Sequence, residues 1–174
     1  MRDDTIYQGN HQGKEFRERR DEASELLRKL RIRPVRERAG AVRREARFHQ
    51  PHLAELMLEK GQLEADARRS EELARLALLV AVKAAPGMSA ESAQSLTARA
   101  CCLLGNALCS QGRLTMADEA FRGSAFHLTG PLRSLERAVF CQMLARLRMR
   151  QERLDEALAL LWRASHLYGP AKEK

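Results

Sequence analysis

Patterns that build sheets or cross membranes are missing from this 174-residue chain. Aromatic residues make up 5% of it, Gly and Pro number only 10 and 5, and no run of alternating β-branched residues is long enough for a strand to pair. Leu, Ala, Arg and Glu dominate instead, the composition of an all-helical protein. The longest apolar stretch, LARLALLVAVKAA from Leu73, is broken by Arg75 and Lys83 and is too short to span a bilayer. The first residues, MRDDTIYQGN, lack the apolar core of a signal peptide. These absences lead us to expect a soluble, cytoplasmic protein with no membrane role.

Motifs for catalysis are missing too. There is no phosphate-binding Walker loop, dinucleotide fingerprint, nucleophile elbow or HExxH, so neither an enzyme nor a cofactor is expected. Cys101, Cys102, Cys109 and Cys141 come without a secretory signal and read as reduced small hydrophobes. Adjacent cysteines on a helix point about 100° apart and cannot share one tetrahedral ion, and His49 with His52 has no second pair at ligand spacing, so no metal is expected. Arg outnumbers Lys 25 to 6, the bias of a GC-rich bacterial genome.

What the chain does contain is a repeat. At an offset of 40, Ala98 meets Ala138, Cys101 meets Cys141, Leu104 meets Leu144 and Gln111 meets Gln151. Arg113, Leu114 and Ala117 then meet Arg153, Leu154 and Ala157, while Phe121 and Ser124 meet Leu161 and Ala164. Leu108 opposite Arg148 breaks the register. Each copy reads as two helices, with Gly112 turning the first hairpin and Gly130-Pro131 or Gly169-Pro170 closing a unit. Small residues at Gly105 and Ala145, facing Ala117 and Ala157, let the paired helices approach, with Phe121 or Leu161 beside them. Arg148 is expected to lay its stem along the hairpin and keep its head in water. Asp118 with Glu119, and Asp155 with Glu156, read as first-turn carboxylates that complement helix dipoles.

Leu104, Gly105, Leu108, Ala117, Phe121 and Ser124, echoed by Leu144, Ala157, Leu161 and Ala164, resemble the tetratricopeptide repeat family. Ala145 replaces the second Gly, Cys101 and Cys141 stand where the family often has Trp, and Thr129 stands at the usual closing Pro. The resemblance implies an all-α fold of antiparallel hairpins stacked as a short right-handed solenoid. Clear repeats cover 92–130 and 131–169, and the spacing of Ala74, Leu78 and Ala81 marks a degenerate one over 51–87. Basic helices over 15–50 precede them, with a flexible terminus at 1–14 and a tail at 170–174.

In that family the first helices line a concave groove that binds a partner protein. By helical phase and family pattern, Arg99, Cys102, Asn106 and Cys109 would line it from one repeat, and Val139, Gln142, Arg146, Met149 and Arg150 from the next. Relatives that grip peptide carboxyl termini use Lys, Asn and Arg there, and Asn106 with Arg146 is compatible with such a role. The mixed Arg, Gln and Met surface suits an acidic or amphipathic segment, the use expected of a scaffold or adaptor.

Positive charge is local. Arg28 to Arg47 holds nine basic and two acidic residues, a net of +7 of the chain's +8. Phe16, Ala23, Leu26, Leu27 and Leu30 share one helical face before Pro34, and Val35, Ala39, Val42 and Ala46 trace a narrow stripe beyond it. Arg36, Arg43 and Arg47, with Arg44 beside them, make a cationic row about 16 Å long at helical rise, which suits a nucleic-acid backbone or another anionic surface. The same arginines also suit the polar exterior of a capping helix, paired to Glu55, Glu59 or a repeat's acidic residues.

Overall fold

The computed structural model describes residues 4–128 and 134–168, with side chains from Lys14 onward. The chain is all-α, and the described residues contain no strand. Its helices are α1 (Asp4–Arg31), α2 (Val35–Arg44), α3 (Pro51–Leu63), α4 (Ala67–Ala84), α5 (Ala90–Ser110), α6 (Leu114–His127), α7 (Ser134–Arg150) and α8 (Leu154–Tyr168). α1 begins at Asp4, inside the segment 1–14, and ends at Arg31 shortly before Pro34. The expected unit closures at Gly130-Pro131 and Gly169-Pro170, and Thr129, lie outside the described residues.

Local chemistry sets several boundaries. Pro51 opens α3 at a position where no backbone donor is needed. Asp66 caps α4 by accepting from the Arg68 amide at 2.8 Å, and Ser89 caps α5 through the Ser92 amide at 3.2 Å. Gly112, at φ 76°, ends the α5–α6 turn, and the Arg113 amide donates back to the Leu108 carbonyl at 3.0 Å. The α7–α8 turn repeats this bond from the Arg153 amide to the Arg148 carbonyl at 2.9 Å, yet the left-handed residue there is Glu152, at φ 61°. A side chain in that conformation costs about 1 kcal/mol that glycine avoids. Glu152→Gly should therefore raise stability by about 1 kcal/mol in urea denaturation, and a loss of stability would contradict this account of the turn.

Neighbouring helices pack as the pairs α3·α4, α5·α6 and α7·α8, with α4 also against α5 and α6 against α7, while α3, α5 and α7 touch in succession. One buried cluster runs from Leu30 and Met57 through Val80 and Leu103 to Phe121 and Leu147. Within α5·α6 the Phe121 ring lies over Gly105, and Ala117 is fully buried. At the chain's other end, Leu161 is 40% exposed while Ala145 and Ala157 are buried, because α8 packs chiefly on α7.

Two amino-terminal stripes differ from the sequence pattern. Ala23, Leu26, Leu27 and Leu30 are buried, but Phe16 is exposed, lying a full two turns beyond the last buried residue. On α2 the inner residues are Ala41 and Val42, and Val35 faces outward. The helix ends at Arg44 because Glu45 turns extended, so Ala46 and Arg47 fall in a short 3-10 turn, held where His49 Nε2 meets the Val42 carbonyl at 2.7 Å.

Candidate functional site

The repeat offset reappears as a packing register. Ser95 Oγ donates to Glu136 Oε1 at 2.8 Å, Cys102 Sγ lies 3.3 Å from Met143 Sδ, and Arg146 Nη1 donates to Asn106 Oδ1 at 3.3 Å. Partners are 41, 41 and 40 residues apart, so α5 and α7 run side by side in the same direction. Beyond Asn106, the charges of Arg150 and Arg146 reach Cys109. Burial nonetheless raises that thiol's pKa, and it pushes Cys102 up to about 12.

Beside this seam lie two cavities. One, of about 250 Å³, sits between α5, α6 and α7 and includes Arg99, Cys102 and Val139 in its walls. The other, of about 750 Å³, lies between α1, α3 and α5. Gln62 and Arg99 border both, so the two form one trough crossing the first helices of successive pairs. At its α1–α3 end, His52 Nε2 lies 3.5 Å from Glu22 Oε2, with Arg19, Arg20, Glu55 and Glu59 nearby.

The structure thus brings Arg99, Cys102 and Val139 to one cavity and Asn106 to Arg146, while Gln142, Arg146, Met149 and Arg150 are exposed on α7. Cys109, 5% exposed, lines neither cavity, and Cys102, 6% exposed with its Sγ against Met143, contributes to the cavity wall alone. All four cysteines are free and buried. Residues that the sequence pattern passed over are Glu136, Phe140 and Met143 on α7 and the whole α1–α3 end of the trough. No repeat signal marks that end, and Glu136 is recognisable only through its partner 41 residues away.

Arg33, Arg38 and Arg47 of the Arg28–Arg47 segment are tied down, only one of them from the expected row. Arg33 Nη2 donates to Glu45 at 3.0 Å, Arg38 Nη1 to Glu72 at 2.6 Å, and Arg47 pairs with Glu45 while lying over the Phe48 ring at 5.0 Å. Glu59 pairs instead with Arg20, and Glu55 takes none of the row, because α3 packs on α1 while α2 packs on α4. Arg47 is off the helix, which breaks the expected row of Arg36, Arg43 and Arg47. Arg36, Arg43 and Arg44 remain exposed, and Arg43 and Arg44 have no acidic partner among the described residues.

Arg148 does not reach water as expected. Its side chain is 14% exposed and its Nη1 donates to Asp118 at 2.5 Å and to Gln151 at 2.7 Å, with Glu156 at 3.3 Å, joining α6 to α8. Asp118 and Glu119 fall in the second turn of α6, so Asp118 serves this ion pair and not the helix start, whereas Asp155 and Glu156 do occupy the first turn of α8. Hydrogen bonds from Arg148 and Arg122 hold the Asp118 carboxyl below the usual aspartate range. Burial works against ionisation of Glu71, but bonds from Gln111 and Arg75 and the charge of Arg113 outweigh it, and its pKa is lowered too.

A carboxyl group with a depressed folded pKa stabilises above its unfolded value and loses that contribution as pH falls through the folded one. Stability should be level from about pH 5 to 7 and drop below about pH 4, where free carboxylates protonate. Urea midpoints measured across that range should show a shallower acid slope for Asp118→Asn, and an unchanged slope would remove Asp118 as a source.

Among the described residues no group of three or more His, Cys, Asp or Glu could hold a metal ion. No described helix is long and apolar enough to cross a membrane. No family model matches the chain, and neither a curated protein nor a solved structure matches it.

Proposed function

We propose that this chain is a non-enzymatic binding module of the tetratricopeptide type, a short right-handed solenoid of hairpins acting as a cytoplasmic scaffold or adaptor. Its trough receives an acidic or amphipathic segment of a partner protein. The carrying observation is the Asn106–Arg146 pair at the α5–α7 seam, near a trough that crosses four helices. The amide offers a backbone partner and the guanidinium a fork for a carboxylate, with exposed Arg150 and Met149 extending the contact. The repeated turn bonds and the successive contacts of α3, α5 and α7 support the solenoid reading.

Arg146→Glu should weaken a partner recovered by affinity purification by more than about 1 kcal/mol, as loss of a central charged anchor does, and leave the melting temperature unchanged. Arg68→Glu, an equal charge change on exposed α4, is the control. Equal loss in both variants would mean general electrostatic attraction, and no loss in either would move the interface off the trough. The exposed Arg36, Arg43 and Arg44 keep a second reading open, an anionic surface or nucleic acid bound on α2. Duplex binding that weakens steeply with salt and vanishes when these three become Glu would favour it.

A further inference from the structure

The last helix keeps an apolar stripe facing outward. Leu154, Leu158, Leu161, Trp162 and Tyr168 are each 37–66% exposed, and at about 100° per residue they share roughly a third of the circumference of α8. The residues that α8 does bury, Ala157 and Ala164, lie outside that sector. The repeat shows what is unusual about it. At the 40-residue offset Leu158 and Trp162 stand where α6 has Asp118 and Arg122, which pair with each other at 2.6 Å, and Asp118 also pairs with Arg148 of α7. α6 thus meets its next helix partly through ions, whereas the same positions of α8 are apolar. Exposed apolar residues scattered singly are ordinary, but a contiguous stripe of several hundred Å² marks an interaction surface.

We propose that this stripe is a self-association surface, on which α8 of a second copy of the chain packs antiparallel about a twofold axis near Leu160. The stripe is self-complementary in that arrangement. Leu158 lies level with Trp162 of the other copy, Leu161 meets its own counterpart, and Leu154 falls between Ser165 and Tyr168 of the other copy. The polar flank agrees. Asp155 in the first turn and His166 in the last both border the Trp162 side of the stripe, so antiparallel pairing sets each carboxylate beside an imidazole of the other copy. Within one chain the two stand eleven residues, about 16 Å, apart and cannot meet, and a parallel pair would set Asp155 against Asp155. The five apolar side chains offer on the order of 500 Å² per copy, so two copies together reach the roughly 1,000 Å² that a specific interface needs. A contact of that size is weak, half formed at on the order of 10–100 μM, and dilute protein is therefore the single chain with α8 bare. No residue of α8 lines either cavity of the trough, so pairing leaves the trough of each copy accessible.

Trp162 is the only tryptophan in the chain, so its emission reports on this surface directly. For the full chain, sedimentation equilibrium should show monomer passing to dimer and no further as concentration rises through that range. Over the same range the tryptophan emission should move to shorter wavelength as the ring loses water. Leu158→Glu should stay monomeric, with emission that does not change with concentration and a melting curve like that of the dilute parent. If that variant does not fold, the emission of the parent against its dimer fraction decides alone. Asp155→Arg should weaken the dimer about threefold or more, since each exposed pair counts twice in a symmetric dimer, and adding His166→Asp should restore it. A parent that stays monomeric at ten times that range, a dimer that leaves the emission unmoved, or one that Leu158→Glu leaves intact would overturn the surface. Assembly continuing past the dimer would mean a head-to-tail contact, and a charge exchange that restores nothing would mean another register; either overturns the antiparallel pair.

Discussion

Ala117→Glu should cost the protein about 4 kcal/mol or more, a large part of the 5–15 kcal/mol that holds a typical domain together. Ala117 is fully buried on α6 at the face packed against α5, within the main core cluster. A glutamate there brings four more heavy atoms past the β-carbon into a filled space, and a carboxylate into a place without water. Overpacking alone costs about 1–3 kcal/mol, and a buried charge with no partner adds several more or forces the group neutral. Ala157→Glu, its counterpart 40 residues on, is 2% exposed and should cost less. Leu158 and Trp162 on the same helix are 65% and 66% exposed, so α8 can lift away and hydrate the charge while the rest of the core stays closed. Urea denaturation followed by circular dichroism should show early global unfolding for Ala117→Glu. For Ala157→Glu, hydrogen exchange should show lost protection centred on α8. Two variants that melt with the parent would mean that neither alanine sits where helices meet.

Much of this arrangement was legible because it is local or periodic. Matching residues 40 apart gave the hairpins and small residues of 92–169, and the α5–α7 seam carries that spacing into contacts such as Asn106 with Arg146. Helical phase, however, says which residues share a face and not what covers that face. Cys102 and Cys109 share a stripe with Asn106 along α5, but both are buried, Cys102 with its Sγ against Met143 of α7. Ion pairing was hidden for a similar reason. Arg38 finds Glu72 across 34 residues, and Arg148 finds Asp118 across 30, so a charge run that looks solvated in sequence is partly neutralised in space. The trough's α1–α3 end comes from the segment with the weakest repeat pattern, and only the packing of α1 on α3 assembles it.

Gly105→Ala sets two effects of opposite sign against each other, and sterics should win. In an ordinary helix interior the change gains about 1 kcal/mol, because alanine loses less freedom than glycine on folding. Here a β-carbon would lie 2.8 Å from both Cδ2 and Cε2 of Phe121. That ring is 2% exposed and is met on another side by Phe140, whose centroid is 6.0 Å away at 71°, so it has little room to withdraw. Forcing either helix outward costs about 1–3 kcal/mol, enough to outweigh the gain and leave the variant less stable than the parent. Phe121→Ala should be more damaging still, about 3–5 kcal/mol, since it empties the space the glycine creates. The second hairpin carries the compensated pair, with Ala145 and Leu161 at the positions of Gly105 and Phe121. Gly105→Ala combined with Phe121→Leu should therefore be more stable than the two single losses add up to, with a coupling of about 1 kcal/mol or more in a double-mutant cycle. If Gly105→Ala instead raised the urea midpoint by the amount its helix propensity gives, the ring would not be seated on that glycine, and the close approach of α5 and α6 would need another cause.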